Sequence, residues 1–199
     1  MILAIDTSAA ISVAVVDGSA VVASRSEFAP RGHAELLADL VRQSLADAGT
    51  SRAERVVVGT GPAPFTGLRV GLVTARTLAY AWGVPLDGVC SLDAVGHAHG
   101  GTCTVVADAR RREVYWATYA EGVRVDGPAV SAPGDVSVQG DVVGRGALLY
   151  PDHFPRAVTA DPDPAHLIAV ADAARAAGAV ELSSEPLYLR RPDVHGLAS

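Results

Sequence analysis

The sequence predicts a mixed α/β protein built as two related lobes, and two observations carry that prediction. Short apolar runs of strand length alternate with longer segments whose apolar residues recur at helical spacing. In addition, one opening device occurs twice. Met1–Ile5 is an apolar run that ends at Asp6, turns at Thr7-Ser8 and resumes as Ile11–Val16, closed by Asp17-Gly18. In the second half Thr104–Ala107 ends at Asp108, turns at Arg110–Arg112 and resumes as Val114–Tyr119, closed by Glu121-Gly122. Such a repeat suggests an internal duplication. Its boundary falls at Gly100-Gly101, with an N-terminal lobe over 1–101 and a smaller C-terminal lobe over 102–199.

Each element has its own signal. Asp17-Gly18 is a hairpin turn, so Val21–Phe28 supplies a third strand. Ala34–Ala48 is an amphipathic helix with Leu37, Leu40, Val41, Leu45 and Ala48 on one stripe, and Gly49 ends it. Val56–Val58 reads as a buried strand leading into a Gly- and Pro-rich loop, then a helix over Leu68–Trp82 that Gly83 and Pro85 stop. This second helix is apolar nearly all round: Val70, Val73, Thr77 and Ala81 lie on one side, and Leu72, Ala79 and Tyr80 on the other. A helix of that kind needs cover on both sides. Val84–Cys90 is a strand and Leu92–His99 a short helix. Beyond the boundary, Asp126–Gly146 reads as short strands and turns, and Pro164–Ala177 as a helix with Leu167, Ile168, Ala171 and Ala174 inward. The tail is extended between Pro186 and Pro192.

Composition excludes several functions. About half of the 199 residues are hydrophobic, enough for a substantial core. A formal net charge of -6 argues against a chain that grips nucleic acid unaided. All 16 basic side chains are Arg; without Lys there is no Walker A loop, Schiff-base enzyme or protein-kinase lysine. Cys90 and Cys103 have no CxxC spacing and read as free thiols of a reducing cytoplasm. The N-terminal run lacks a preceding basic region and Asp6 interrupts it, so it is no signal peptide. No run has the length to span a membrane. The expectation is a cytoplasmic protein.

The candidate polar sites each have two readings. Asp6 and Asp108 stand where a strand meets a polar turn, where a carboxylate can hold Mg²⁺ or form an Asx turn. The Gly59–Gly67 loop can cradle an anion, but Pro62 and Pro64 remove two N–H donors. The glycines then serve a tight turn, with Thr66 as helix cap. Arg110–Arg112 and Arg190-Arg191 read as solvated turn residues, with phosphate or acidic-partner contact the lesser alternative. No metal site is predicted: His97 and His99 point to different sides of a helix, there is no HExxH, and His33-Ala34-Glu35 lacks the accompanying PCxxC. There is no GxSxG elbow either, so nothing commits the chain to catalysis.

MILAIDTS, GTGPAPFTGLRVG, VVADARRREVY and PLYLRRPDV together resemble the TsaB (YeaZ) family, in the family's order and over almost the whole chain. The resemblance implies a fold of two RNase H-like lobes in the actin/Hsp70/sugar-kinase ATPase superfamily, the second lobe trimmed. It further implies a part in tRNA N6-threonylcarbamoyladenosine synthesis as a non-catalytic partner of the related subunit TsaD, with the small ATPase TsaE. tRNA would be met through the complex, and the chain alone would form a homodimer. The family pairs through its first two helices, which places a partner interface at Leu36, Leu40, Arg69, Leu72, Arg76, Ala79 and Tyr80. Ala63-Pro64 departs from the family's usual Gly-Ser. Where TsaD relatives have a second metal-binding histidine, this chain has Leu37. No cofactor is required on this reading; weak ATP or ADP with Mg²⁺ at the complex interface, through Asp6 and Asp108 of a vestigial cleft, is the expectation. The alternative is a nucleotide-binding or hydrolysing enzyme of the same superfamily using those two aspartates.

Overall fold

The structure, a computed structural model, describes residues 1–28 and 33–190, the side chain of His33 excepted. Arg191 and the end of the PLYLRRPDV segment lie outside the described residues.

Two sheets form, and they share a topology. In the first, β1 (Ile2–Asp6), β2 (Ile11–Asp17) and β3 (Ala20–Glu27) make an antiparallel meander; β4 (Arg55–Gly59) then adds parallel to β1, and β5 (Leu86–Val89) parallel to β4. In the second, β6 (Cys103–Asp108), β7 (Val114–Ala120) and β8 (Val123–Ser131) repeat the meander, and β9 (Asp141–Val143) pairs parallel with β6. The orders 3-2-1-4-5 and 8-7-6-9 superimpose strand for strand, with one strand missing from the second. The duplicated opening in the sequence is therefore a duplicated meander. Asp6 and Asp108 hold equivalent places at the ends of its first strands.

The helices follow from the period-two pattern of β1, β2 and β4, which are buried on both faces. Leu3, Ile5, Val13, Val15, Val56 and Val58 point to one side, where α1 (His33–Asp47) and α2 (Phe65–Trp82) lie. Ala4, Val16 and Val57 point to the other and meet Leu167, Ile168 and Ala171 of α4 (Pro164–Ala176). Asp163 caps α4, accepting from the Ala165 N–H at 2.9 Å, with Pro164 in the first turn. On the second sheet, Cys103, Val105, Tyr115, Ala117 and Tyr119 pack against Leu92 and Val95 of α3 (Ser91–His99). Among the described residues its far face is covered by a single helical turn at Ala147–Leu149 with Phe154, and by Val136, Tyr150 and Ala157, rather than by a long helix.

All strands of the first sheet precede Gly100-Gly101 and all those of the second follow it, but the helices cross over. α3 packs on the second sheet and α4 on the first. The two meet through His97 and His166, whose Nδ1 atoms are 2.8 Å apart. A charge cluster centred on the buried Asp87 fastens α4 to its sheet. Asp87 of β5 accepts from Arg55 of β4 at 2.7 Å and from Arg175 of α4, and Arg55 also reaches Asp172 of α4 at 2.5 Å.

Candidate functional site

The Asp6 turn is knotted into the glycine loop. Asp6 is 1% exposed. One of its oxygens accepts from the Ser8 N–H at 2.8 Å and the Ser8 hydroxyl at 2.6 Å; the other accepts from the Ser91 hydroxyl at 2.5 Å. Ser91 in turn accepts from the Gly61 N–H at 3.1 Å. Burial raises the Asp6 carboxyl above its ordinary value despite these three hydrogen bonds, which pull the other way. A Cβ on Gly59 would stand 1.8 Å from the Asp6 carboxylate, and one on Gly71 would stand 2.4 Å from the Thr7 hydroxyl, which donates to the Gly67 carbonyl at 2.9 Å. These two glycines let the turn after β1 touch β4 and α2.

The first half of the loop spends its N–H groups within the chain. The Thr60 N–H goes to the Val89 carbonyl and the Gly61 N–H to Ser91, while Pro62 and Pro64 have none to give. Thr66 is not the cap: α2 begins at Phe65, with Pro64 as the capping residue and no side-chain cap bond. The fixed φ of proline suits the entry to a helix, so the turn starts earlier than glycine content alone suggested.

A cleft of about 1020 Å³ opens between the lobes. Thr7, Ser8, Pro62 and Gly67 line it from one lobe, and Val106, Asp108, Arg110 and Arg145 from the other. Asp108 therefore faces the cleft and Asp6 does not. Asp108 is itself engaged: it accepts from the Arg110 N–H at 2.7 Å, an Asx turn, and pairs with the Arg110 guanidinium at 3.2 Å. Arg145 is held by both oxygens of Asp161 at 2.6 and 2.7 Å. Replacing Asp6 by Asn keeps an acceptor for Ser8 and is expected to cost about 1 kcal/mol in denaturant unfolding. Asp6→Ala strands the Ser8 and Ser91 donors and should cost about 3 kcal/mol.

The proposed interface residues divide by burial. Leu40, Leu72 and Ala79 belong to the core and Leu36 is half-buried against it, so none of the first three is open to a partner. α2 turns Leu68, Gly71, Leu72, Ala75 and Ala79 inward, because that face carries small residues and lets the helix approach the sheet. The outward face is Val73, Thr77, Tyr80 and Ala81, with Val73 60% and Tyr80 90% exposed. Arg69 and Arg76 are engaged within the chain. Residues 182–190 run along the edge of β5 and over the margin of α2: Gly88 donates to the Leu182 carbonyl and Leu187 to the Thr60 carbonyl, each at 2.9 Å. Arg76 binds the Ser184 carbonyl at 2.8 Å and Glu185 at 2.7 Å. Arg69 lies 3.5 Å over the Phe65 ring and donates to the Tyr188 hydroxyl at 3.0 Å, and Phe65 stacks on Tyr188. Arg190 then crosses to the second lobe, donating to the Ala109 carbonyl at 2.7 Å and pairing with Glu113 at 3.2 Å. Two bracketing prolines announced an extended tail; nothing in the sequence linked it to arginines more than a hundred residues away.

Burial pushes the Cys90 thiol up to about 12 and Cys103 up to about 11, which favours the protonated thiol in both. No helix among the described residues is long and apolar enough to cross a membrane.

Comparison with known proteins fits this architecture. The profile of TsaD, tRNA N6-adenosine threonylcarbamoyltransferase, matches residues 20–146. A Mycobacterium tuberculosis protein is 43% identical over 99% of this chain and 95% of its own. The TsaB of Escherichia coli, named a tRNA threonylcarbamoyladenosine biosynthesis protein, is 34% identical over 59% of this chain and 54% of its own. The solved structure of YeaZ from Pseudomonas aeruginosa matches with a TM-score of 0.79 at 32% identity, covering 94% of this chain and 99% of that one. The chain belongs to the TsaB (YeaZ) family. Within this TsaB-type chain the surviving surface features are the outward stripe of α2, the strap of residues 182–190 beside it, and the interlobe cleft.

Proposed function

We propose that this chain acts in N6-threonylcarbamoyladenosine synthesis on tRNA as a non-catalytic partner of a TsaD-type subunit, docking through the outward face of α2. The observation that carries it is the stripe of Val73, Thr77, Tyr80 and Ala81, an apolar helix face that the chain's own sheet leaves uncovered. Phe65 and the strap residue Tyr188 extend it toward the start of the helix. An aromatic at its centre and guanidinium groups at its margin suit the core and rim of an interface. The same face would pair two copies when the partner is absent. A nucleotide-hydrolysing reading needs Asp6 at the cleft, and its burial among Ser8 and Ser91 weighs against that. Any Mg-nucleotide then depends on groups the complex supplies, as does TsaE.

Val73→Asp combined with Tyr80→Ala should leave the fold intact, since both side chains stand in solvent. It should weaken capture of the TsaD-type subunit by about a hundredfold, as loss of a central anchor does. Calorimetric titration of the two purified subunits measures it. In cells the same variant should lower the modified nucleoside in tRNA, read by mass spectrometry. Full modification in cells depleted of this chain defeats the proposal.

A further inference from the structure

We propose that His97 and His166 form a proton-sensitive latch between the two lobes, closed while at least one of the facing nitrogens is unprotonated and released when both rings are cationic. The observation is their geometry. Each Nδ1 faces the other at 2.8 Å, with ring centroids 5.1 Å apart. That separation is a hydrogen bond, so one Nδ1 donates and the other accepts. A first added proton goes to the Nε2 of the donor ring and leaves the bond in place, because an imidazolium still donates to a neutral Nδ1. A second protonates the acceptor as well, and two N–H groups of like charge then meet head to head. The contact must open. Helical spacing sets His97 and His99 on different sides of α3, and the partner of His97 comes instead from α4, 69 positions along the chain.

Position gives the pair its consequence. α3 packs on the second sheet and α4 on the first, so this bond joins the lobes. Leu92 and Val95 of α3 line the interlobe cleft, and so do Ala160, Asp161 and Pro162, which lead directly into α4. Parting the two helices therefore moves both walls of the cleft. The charged groups on the surrounding elements have other engagements. On α3, Asp93 accepts from Tyr119 of β7 at 2.8 Å and pairs with Arg124 of β8 at 3.3 Å, and His99 faces Asp141 of β9 at 3.4 Å. On α4, Asp163 caps the helix, and Asp172 and Arg175 belong to the cluster with Arg55 of β4 and Asp87 of β5. Asp6 of β1 is tied to Ser8 and Ser91, and Asp108 of β6 to Arg110. Asp17 of β2 and Glu121 of the β7–β8 turn are exposed. Burial first, and then the charge of His166, hold the His97 imidazole below its ordinary 6.5, with no carboxylate opposing them.

The sign of the effect is fixed. A histidine held below its ordinary value binds fewer protons folded than unfolded, so its contribution is complete above about pH 7 and is lost as pH falls through about 6.5. That window lies above the one in which carboxylates titrate. The experiment is hydrogen exchange of the full chain at about pH 7.5 and about pH 5.5, corrected for intrinsic exchange rates, alongside an NMR titration of the imidazole nitrogens. Expected are about tenfold lower protection in α3 and α4 at the lower pH, little change in β1 and β4, and two coupled steps for the rings, the second below about pH 6. His166→Gln keeps a hydrogen-bonding partner for His97 without a second cation, and should remove most of the pH response. Unchanged protection in α3 and α4 overturns the proposal, as does an equal pH response in His166→Gln. If that variant does not fold, the parent decides: coupled steps support the latch, and two rings titrating independently near about 6.5 overturn it.

Discussion

Asp87→Ala should be among the most destabilising single substitutions in this chain, at about 3–5 kcal/mol. Asp87 is fully buried and joins Arg55 to Arg175. Removing it leaves Arg55, itself largely buried, with the exposed Asp172 as its remaining partner, and taking the buried partner from a buried charge costs more than the intact pair contributes. For a chain of this size the loss corresponds to a fall of about 10 °C or more in the melting midpoint. The pH dependence has a definite sign. Burial by itself would raise the Asp87 carboxyl, but the hydrogen bonds from Arg175 and Arg55 outweigh it and hold the group below its ordinary 3.8. A depressed acid contributes stability that is present above the unfolded value and is lost as pH falls through the lower, folded one. Melting curves from pH 7 downward should therefore show a drop below about pH 4 that Asp87→Asn diminishes. Because three of the four charged groups sit on different elements, β4, β5 and α4, hydrogen exchange in α4 should rise in the variant before the strands of the first sheet are affected.

Much of this architecture can be read from local pattern. The two strand–Asp–turn–strand openings predicted a duplicated meander, and the sheets superimpose in order 3-2-1-4 on 8-7-6-9. Amphipathic stripes in α1 and α4 turned inward as their spacing required. What local pattern does not encode is which side of an all-apolar helix meets the sheet. α2 has two apolar faces, and the one with Leu68, Gly71, Leu72, Ala75 and Ala79 goes inward, with Gly71 against the Thr7 turn, where a Cβ would stand 2.4 Å from the hydroxyl. That single rotation moves Leu72 and Ala79 from surface to core and leaves Val73 outside. Long-range partners are equally silent. Ser91 meets Asp6 across 85 positions and Tyr188 meets Arg69 across 119, and neither residue carries a local signal of the bond it makes. The Arg110–Arg112 turn was legible as a basic cluster, but its left-handed backbone was not.

Gly59→Ala tests whether the glycine loop is a ligand cradle or a packing device, and a large loss of stability is expected. Gly59 ends β4, next to Asp6 at the end of β1, and an added methyl would stand 1.8 Å from the Asp6 carboxylate and 2.6 Å from the Ser91 hydroxyl. Neither neighbour can yield cheaply. The carboxylate is fixed by Ser8 and Ser91, and Ser91 sits at the first turn of α3 with its N–H on the Gly61 carbonyl at 2.7 Å. Relieving the clash means breaking the hydrogen bonds of the buried Asp6 or displacing β1 from β4. Overpacking alone costs about 1–3 kcal/mol, and each stranded buried donor adds about 1 kcal/mol or more. The sum, about 3–5 kcal/mol by urea unfolding, rivals the loss of Asp87. The double variant Gly59→Ala, Asp6→Ala should recover part of it, because the methyl then occupies space the carboxylate vacated. A cradle would give the opposite pattern, with a tolerated methyl and no recovery. Partial rescue by removing a charged residue would mark Gly59, Asp6 and Ser91 as one interlocked joint between β1, β4 and α3, on which the placement of both α2 and the cleft depends.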